Sequence, residues 1–182
     1  MEDTRLVEGL KTGDDEAFRE LLDRYEAKIF NTVLRIVKDR SHAEDVVQEV
    51  FLKTLRNIGS FNFQAGLYTW IYRIAVNAAL DNLKKTQRMK PLSIHGNEEQ
   101  TFEIPSDVDD PSRAPERAEM ARILTGAIDE LSDKYRTILI LREFEGLSYE
   151  EISQTLECSK GTVESRLFRA RERLRKKMEK YL

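Results

Sequence analysis

Along residues 4 to 88, apolar side chains recur at spacings of three and four, the period of helices that bury one face. The same period returns from 115 to the C-terminus, and between the two stretches it disappears. Leu6, Val7 and Leu10 predict a short first helix, which Gly13-Asp14-Asp15 breaks while capping the next. Phe18, Leu21, Leu22, Tyr25, Ile29, Val33, Ile36 and Val37 carry a second helix, ended by Asp39-Arg40. Ser41 to Glu44 reads as an S-x-x-E start, in which each side chain satisfies a free backbone amide. The helix it opens runs to about Asn57. Gly59 and Gly66 bracket a loop. A fourth helix covers Leu67 to Arg88, with Trp70, Ile71, Ile74, Ala75 and Ala78 on its inner face.

From Met89 to Ala114 the pattern is that of a linker. Pro91, Pro105 and Pro111 fall here, polar residues dominate, and Pro91 to Ala114 hold six acids against one base. Fully extended, such a segment spans roughly 90 Å at ~3.5 Å per residue, enough to join modules seated far apart on one ligand. Pro115 suits the first turn of a further helix carrying Ala118, Ala121, Ile123, Leu124, Ile128 and Leu131. Ser132-Asp133 caps another, with Tyr135, Ile138, Leu139, Leu141 and Phe144, and Glu145-Gly146 stops it. The expected fold class is therefore all-α, with two small helical domains joined by an acidic flexible linker.

The C-terminal stretch predicts a helix-turn-helix. Ser148 and Glu151 repeat the S-x-x-E pattern, Ile152 and Leu156 mark a short helix, Glu157-Cys158 makes the turn and Ser159 caps the last helix. Val163, Leu167, Ala170 and Leu174 fall on its inward face. Thr162, Ser165, Arg166, Arg169 and Arg173 fall outward, and arginine can bind a guanine edge bidentately in a major groove. From Cys158 onward nine Lys/Arg stand against three Asp/Glu, a surplus that a merely solvated helix does not need.

Composition narrows the rest. A chain of 182 residues, 40% apolar, allows one mid-sized domain or two small ones. The net charge of -3 conceals the contrast between acidic linker and basic tail. One cysteine permits no internal disulfide, no apolar run approaches a membrane span, and the acidic N-terminus is unlike a signal peptide. A soluble, cytoplasmic protein without membrane insertion is expected. His42, His95 and Cys158 offer no spacing for a metal site, and Cys158 reads as a small packing residue. No phosphate-binding loop and no nucleophile with a base at readable spacing occur, so no catalytic residue, metal, cofactor or small-molecule substrate is expected.

Two surfaces in the first half invite partners. Asp45, Gln48, Glu49 and Leu52 share a stripe of the third helix, either simply solvated or a docking face for a protein. Arg73, Asn77, Lys84 and Arg88 lie close to one stripe of the fourth helix, with Tyr68 and Tyr72 beside it and Asp81 interrupting it. Aromatics among Arg and Asn suit single-strand recognition, in which rings stack bases, Asn reads an edge and cations hold phosphates. Phe61 and Phe63 in the loop either return to the core or add stacking surface.

Three long motifs in order resemble bacterial RNA polymerase sigma factors, more narrowly those of the extracytoplasmic-function type. Ala43-Glu44-Asp45-Val46-Val47-Gln48-Glu49-Val50-Phe51 and Tyr68-Thr69-Trp70-Ile71-Tyr72-Arg73-Ile74-Ala75-Val76-Asn77 are similar to region 2 of that family. Leu131 to Ile152, followed by Gly161 to Arg171, is similar to region 4. The resemblance implies a region 2 domain over 1–88, a linker over 89–114 threaded through a polymerase channel, and a region 4 domain over 115–182. It implies that the first domain melts the promoter -10 element, with Phe61, Phe63, Tyr72, Arg73, Asn77, Lys84 and Arg88 at the single strand. Asn77 and the Phe61 to Gly66 loop would capture a flipped base. It further implies that Lys160, Thr162, Ser165, Arg166, Phe168, Arg169 and Arg173 read the -35 element. Asp45, Gln48, Glu49 and Leu52 would grip core RNA polymerase, and an anti-sigma factor would cover these surfaces. Glu164 departs from the Lys or Arg that many members carry, and an acid there repels phosphate or accepts from a cytosine amine. A dimeric operator-binding regulator would account for the C-terminal module alone. An adaptor that binds only proteins would leave the basic helix without a use.

Overall fold

The computed structural model describes residues 2–89, 114–179 and 181. The linker expected over 89–114 lies outside the described residues except at its ends, Met89 and Ala114, which are both helical. The chain divides into two compact units, Met1–Asn97 and Glu98–Leu182.

The first unit is built around α2, Asp15–Val37. Asp14 caps it by accepting from the Glu16 amide at 2.9 Å, and Lys38 ends it in the left-handed region with its N–H on the Leu34 carbonyl. Helix α1, Glu2–Thr12, lies on α2 so closely that a Cβ at Gly9 would meet the Ala17 Cβ at 2.7 Å. Helix α3, Arg40–Asn57, and α4, Leu67–Met89, pack on α2 and on each other. Their shared core holds Leu21, Ile29, Val33 and Ile36 of α2, Val46, Val47, Val50 and Phe51 of α3, and Ile71, Ala75, Val76 and Ala79 of α4.

The start of α3 differs from the S-x-x-E expectation. Asp39 is the cap, accepting from the His42 amide at 2.8 Å, so Ser41 already sits inside the first turn. Between α3 and α4, Ile58–Ser60 forms a short 3-10 turn, and the loop turns at Phe63 with φ 61°.

In the second unit α5, Ala114–Asp129, is followed by α6, Asp133–Leu139. Helix α6 does not continue regularly to Phe144 as its apolar pattern suggested, because Ile140–Phe144 widens into a π-turn. Ile138 to Leu141 are all buried, and no single face of an α-helix turns four consecutive residues inward. Helix α7, Tyr149–Thr155, begins with both bonds of the Ser148–Glu151 capping box. Glu157, at φ 48°, supplies the left-handed turn before Ser159 caps α8, Lys160–Met178, by accepting from the Thr162 amide. Helix α8 packs across α5, α6 and α7 through Val163, Leu167 and Ala170.

Candidate nucleic-acid interface

With Val163, Leu167 and Ala170 buried, α8 turns Lys160, Ser165, Phe168, Arg169 and Arg173 to solvent and leaves Thr162 and Arg166 half-buried. Phe168 is 68% exposed, an aromatic ring held out on a basic helix. Hydroxyl chemistry here is partly used locally. The Thr162 and Ser159 hydroxyls share a hydrogen bond at 2.9 Å, and Ser165 donates to the Thr162 carbonyl at 3.1 Å.

The positive charge is distributed unevenly. Towards the C-terminal end it is neutralised: Arg171 pairs with Glu143 at 2.7 Å, Arg175 with Glu172 and Glu179, and Lys177 with Glu130. The Glu143 hydrogen bond raises the Arg171 pKa further, against its partial burial. Lys160 faces Glu150 at 3.5 Å. No carboxylate partner of Arg166, Arg169 or Arg173 occurs among the described residues. The Arg173 guanidinium lies 4.8 Å from the centre of the Tyr135 ring. Lys134 lies 4.9 Å from it. Burial pushes the Tyr135 phenol up, but the neighbouring Arg169, Lys134 and Arg173 cations outweigh it and hold the phenol below its ordinary value. Lys134 and Arg173 thus put two positive charges beside one ring.

In the first unit, Arg73, Asn77, Lys84 and Arg88 fall within ~60° of one another around α4, at ~100° per residue. Asn77, Lys84 and Arg88 are exposed and Arg73 is half-buried. Lys84 pairs with Asp81 at 2.9 Å, a surface contact weak enough to exchange for phosphate. Phe63 is exposed on the left-handed turn of the loop.

Two expected contact residues are corrected by their burial. Tyr72 has no exposed surface, and its hydroxyl donates to the Thr32 hydroxyl at 2.8 Å. Phe61 is 5% exposed, with its ring 5.3 Å from Trp70 and 4.8 Å from Phe63. Both support the surface from beneath and cannot stack a base without leaving the core. Trp70, expected in the core, is only half-buried. The residues that sequence reasoning passed over are Lys134 and Tyr135. Tyr135 carried the signal of an apolar core position and nothing more.

Asp45, Gln48, Glu49 and Leu52 are all exposed on one side of α3, and Leu52 is 53% exposed among them. Glu49 is paired within its own helix with Lys53 at 2.6 Å. Among the described residues no group of His, Cys, Asp and Glu is placed to hold a metal, and no helix is long and apolar enough to cross a membrane.

Comparison with known proteins follows the same division. Residues 21–89 match the family model for sigma-70 region 2, and residues 121–174 match that for sigma-70 region 4. The RNA polymerase sigma-H factor of Pseudomonas aeruginosa is 40% identical over 185 residues, which cover 100% of this chain and 96% of that protein. The ECF RNA polymerase sigma-E factor of Haemophilus influenzae is 40% identical over 181 residues, covering 97% of this chain and 95% of that one. Among solved structures, the sigma factor RpoE in complex with the anti-sigma factor NepR from Bartonella quintana shares the fold. It has a TM-score of 0.67 at 23% identity, covering 89% of this chain and 96% of that one.

Proposed function

Because the chain belongs to the extracytoplasmic-function group of the sigma-70 family of RNA polymerase sigma factors, we propose that it binds core RNA polymerase and directs it to promoters. The first unit engages polymerase and the -10 element, and the second reads the -35 element. The observation that carries this reading is a likeness that runs through both modules in order along the whole chain. Sigma factors are initiation factors and not enzymes, and this one contributes no active site of its own; the chemistry belongs to polymerase. It acts in the cytoplasm, where polymerase is. An anti-sigma factor holds it inactive by covering the faces described above.

In the -35 complex α8 enters the major groove, with Arg169 on a guanine edge and Lys160 and Arg173 against phosphates. Phe168 packs on a thymine methyl, and Thr162, Ser165 and Arg166 line the approach. At the -10 element Asn77 reads the edge of a flipped base. Phe63 supplies stacking surface, while Arg73, Lys84 and Arg88 track the backbone.

Run-off transcription tests the proposal directly. Core polymerase, this chain and its own upstream region as template should give a discrete transcript only when protein and polymerase are both present. A polymerase-independent shift of that duplex, with no transcript and no binding to core, would support the operator-binding alternative instead. Asn77→Ala should reduce open-complex formation by ~1–3 kcal/mol for the lost base contact, while -35 binding persists. Permanganate footprinting reads the melted thymines, and an unchanged footprint would remove Asn77 from the site.

A further inference from the structure

We infer that Glu164 is a specificity-determining residue for the -35 element: its carboxylate accepts a hydrogen bond from the N4 amine of a cytosine in the major groove. The inference rests on the reading of α8 as the -35 helix. Glu164 is exposed on the N-terminal half of α8, the part of a recognition helix that meets base edges. Its carboxylate has neither an ion pair nor a hydrogen bond among the described residues. Other acids on and around α8 are engaged: Glu150 faces Lys160 at 3.5 Å, Glu143 holds Arg171 at 2.7 Å and Glu172 holds Arg175 at 3.2 Å. The residues one turn away on the side of Glu164 are Lys160, Gly161, Leu167 and Phe168. Lys160 is the one cation of these four, and Glu150 faces it. At Gly161 an added Cβ would meet nothing within 4 Å, so the turn before Glu164 is bare and a base edge has room to approach.

The chemistry of the groove selects the base. An ionised carboxylate has acceptors and no donor. Against a base edge without a donor it would be desolvated and left unpaired, which costs more than a lost bond. Guanine shows the major groove two acceptors, N7 and O6, and thymine shows the O4 acceptor, so both repel it. Adenine sets its N6 amine beside the N7 acceptor, so half of that edge repels. Cytosine shows the N4 amine alone. The requirement is the reverse of that of Arg169, whose guanidinium needs acceptors. The two side chains stand five residues apart, ~7.5 Å along the helix axis, and select complementary edges.

The plain alternative is a solvated acid that only repels DNA. Glu164→Ala and Glu164→Gln separate the two roles, and both should leave the fold intact because the side chain is exposed and holds no partner. The assay is transcription by core polymerase with the full-length chain from a promoter library randomised across the -35 positions. R169A marks the position that Arg169 reads, by flattening the preference there. E164A should weaken the preference for a C·G pair by roughly 3- to 10-fold at a different position. E164Q keeps an acceptor and gains a donor, so it should widen the preference at that position to include an A·T pair. Removal of a merely repelling acid predicts instead a uniform gain on every sequence, fading as salt is raised. The change in preference should persist at high salt.

Two outcomes overturn the proposal while the reading of α8 stands. Unchanged preferences in E164A and E164Q, where R169A flattens one, leave Glu164 a bystander acid. A loss in E164A at a position where the wild-type chain favours an A·T pair means that the carboxylate does not accept from cytosine. If R169A and both Glu164 variants leave every -35 preference intact, the reading of α8 fails first and the inference falls with it.

Discussion

Leu167→Ala is expected to unfold the helix-turn-helix unit and abolish -35 binding while the first unit stays folded. Leu167 lies on α8 and is 1% exposed, and Ile138, Leu141, Ile152 and Val163 of the same unit are likewise buried. Truncating a buried leucine to alanine costs about 2.7–5 kcal/mol, the lost transfer energy plus the cavity left behind. A unit of this size holds roughly 0.05–0.15 kcal/mol per residue, only a few kcal/mol in all. The loss is therefore comparable with its whole stability. The first unit has its own buried set in α1 to α4. Urea titration followed by circular dichroism should show one transition moved to low denaturant and the other in place. Core polymerase should still be retained through α3. A single transition moving as a whole would mean that the two units do not unfold independently.

How the sequence exposes these parts depends on how local each signal is. The capping box of α7 was legible because Ser148 and Glu151 close their bonds within four residues, with no help from the rest of the fold. The buried line of Val163, Leu167 and Ala170 was legible because these residues keep the helical spacing of four and three on one face of α8. Tyr72 was not. Helix α4 is covered by both α2 and α3, so its buried arc is wider than one stripe and takes in Tyr72 with Val76 and Ala79. Only the fold brings Thr32 to its hydroxyl. The same wide arc explains the exposed set. What remains outside it includes Asn77, Lys84 and Arg88, which the sequence did suggest, together with Asp81, Lys85 and Gln87.

The cap of α3 failed for a different reason. Asp39 and Ser41 are both good caps two residues apart, and the left-handed backbone at Lys38 favours the earlier one. The contact between Tyr135 and Arg173 joins residues more than thirty positions apart in sequence, a separation at which periodicity says nothing. The π-turn at Ile140–Phe144 arises where burial demands more than an α-helical period supplies.

Leu52→Asp should lower the affinity for core polymerase by at least ~2 kcal/mol, about thirtyfold, without destabilising the protein. The inner side of α3 is already filled by Val46, Val47, Val50, Phe51 and Thr54, so the fold does not use Leu52. An exposed substitution of this kind changes stability by no more than ~0.5 kcal/mol. Its apolar side chain stands among Asp45, Gln48 and Glu49, an arrangement in which the apolar group anchors and the polar ring excludes water. Aspartate there loses the anchor and also forces an unpaired charge into the contact, a penalty that removal of a rim acid does not carry. Asp45→Asn or Glu49→Gln should mainly slow association and flatten its salt dependence, because rim charges steer encounter more than they hold the complex. For Glu49 the effect is smaller still, since its bond to Lys53 must first be exchanged. Competition for core polymerase against the wild-type chain separates these cases. If Leu52→Asp competes as well as wild type with an unchanged melting temperature, α3 does not carry the polymerase contact. If it fails to compete yet still binds a -35 duplex, the loss lies in docking and not in folding.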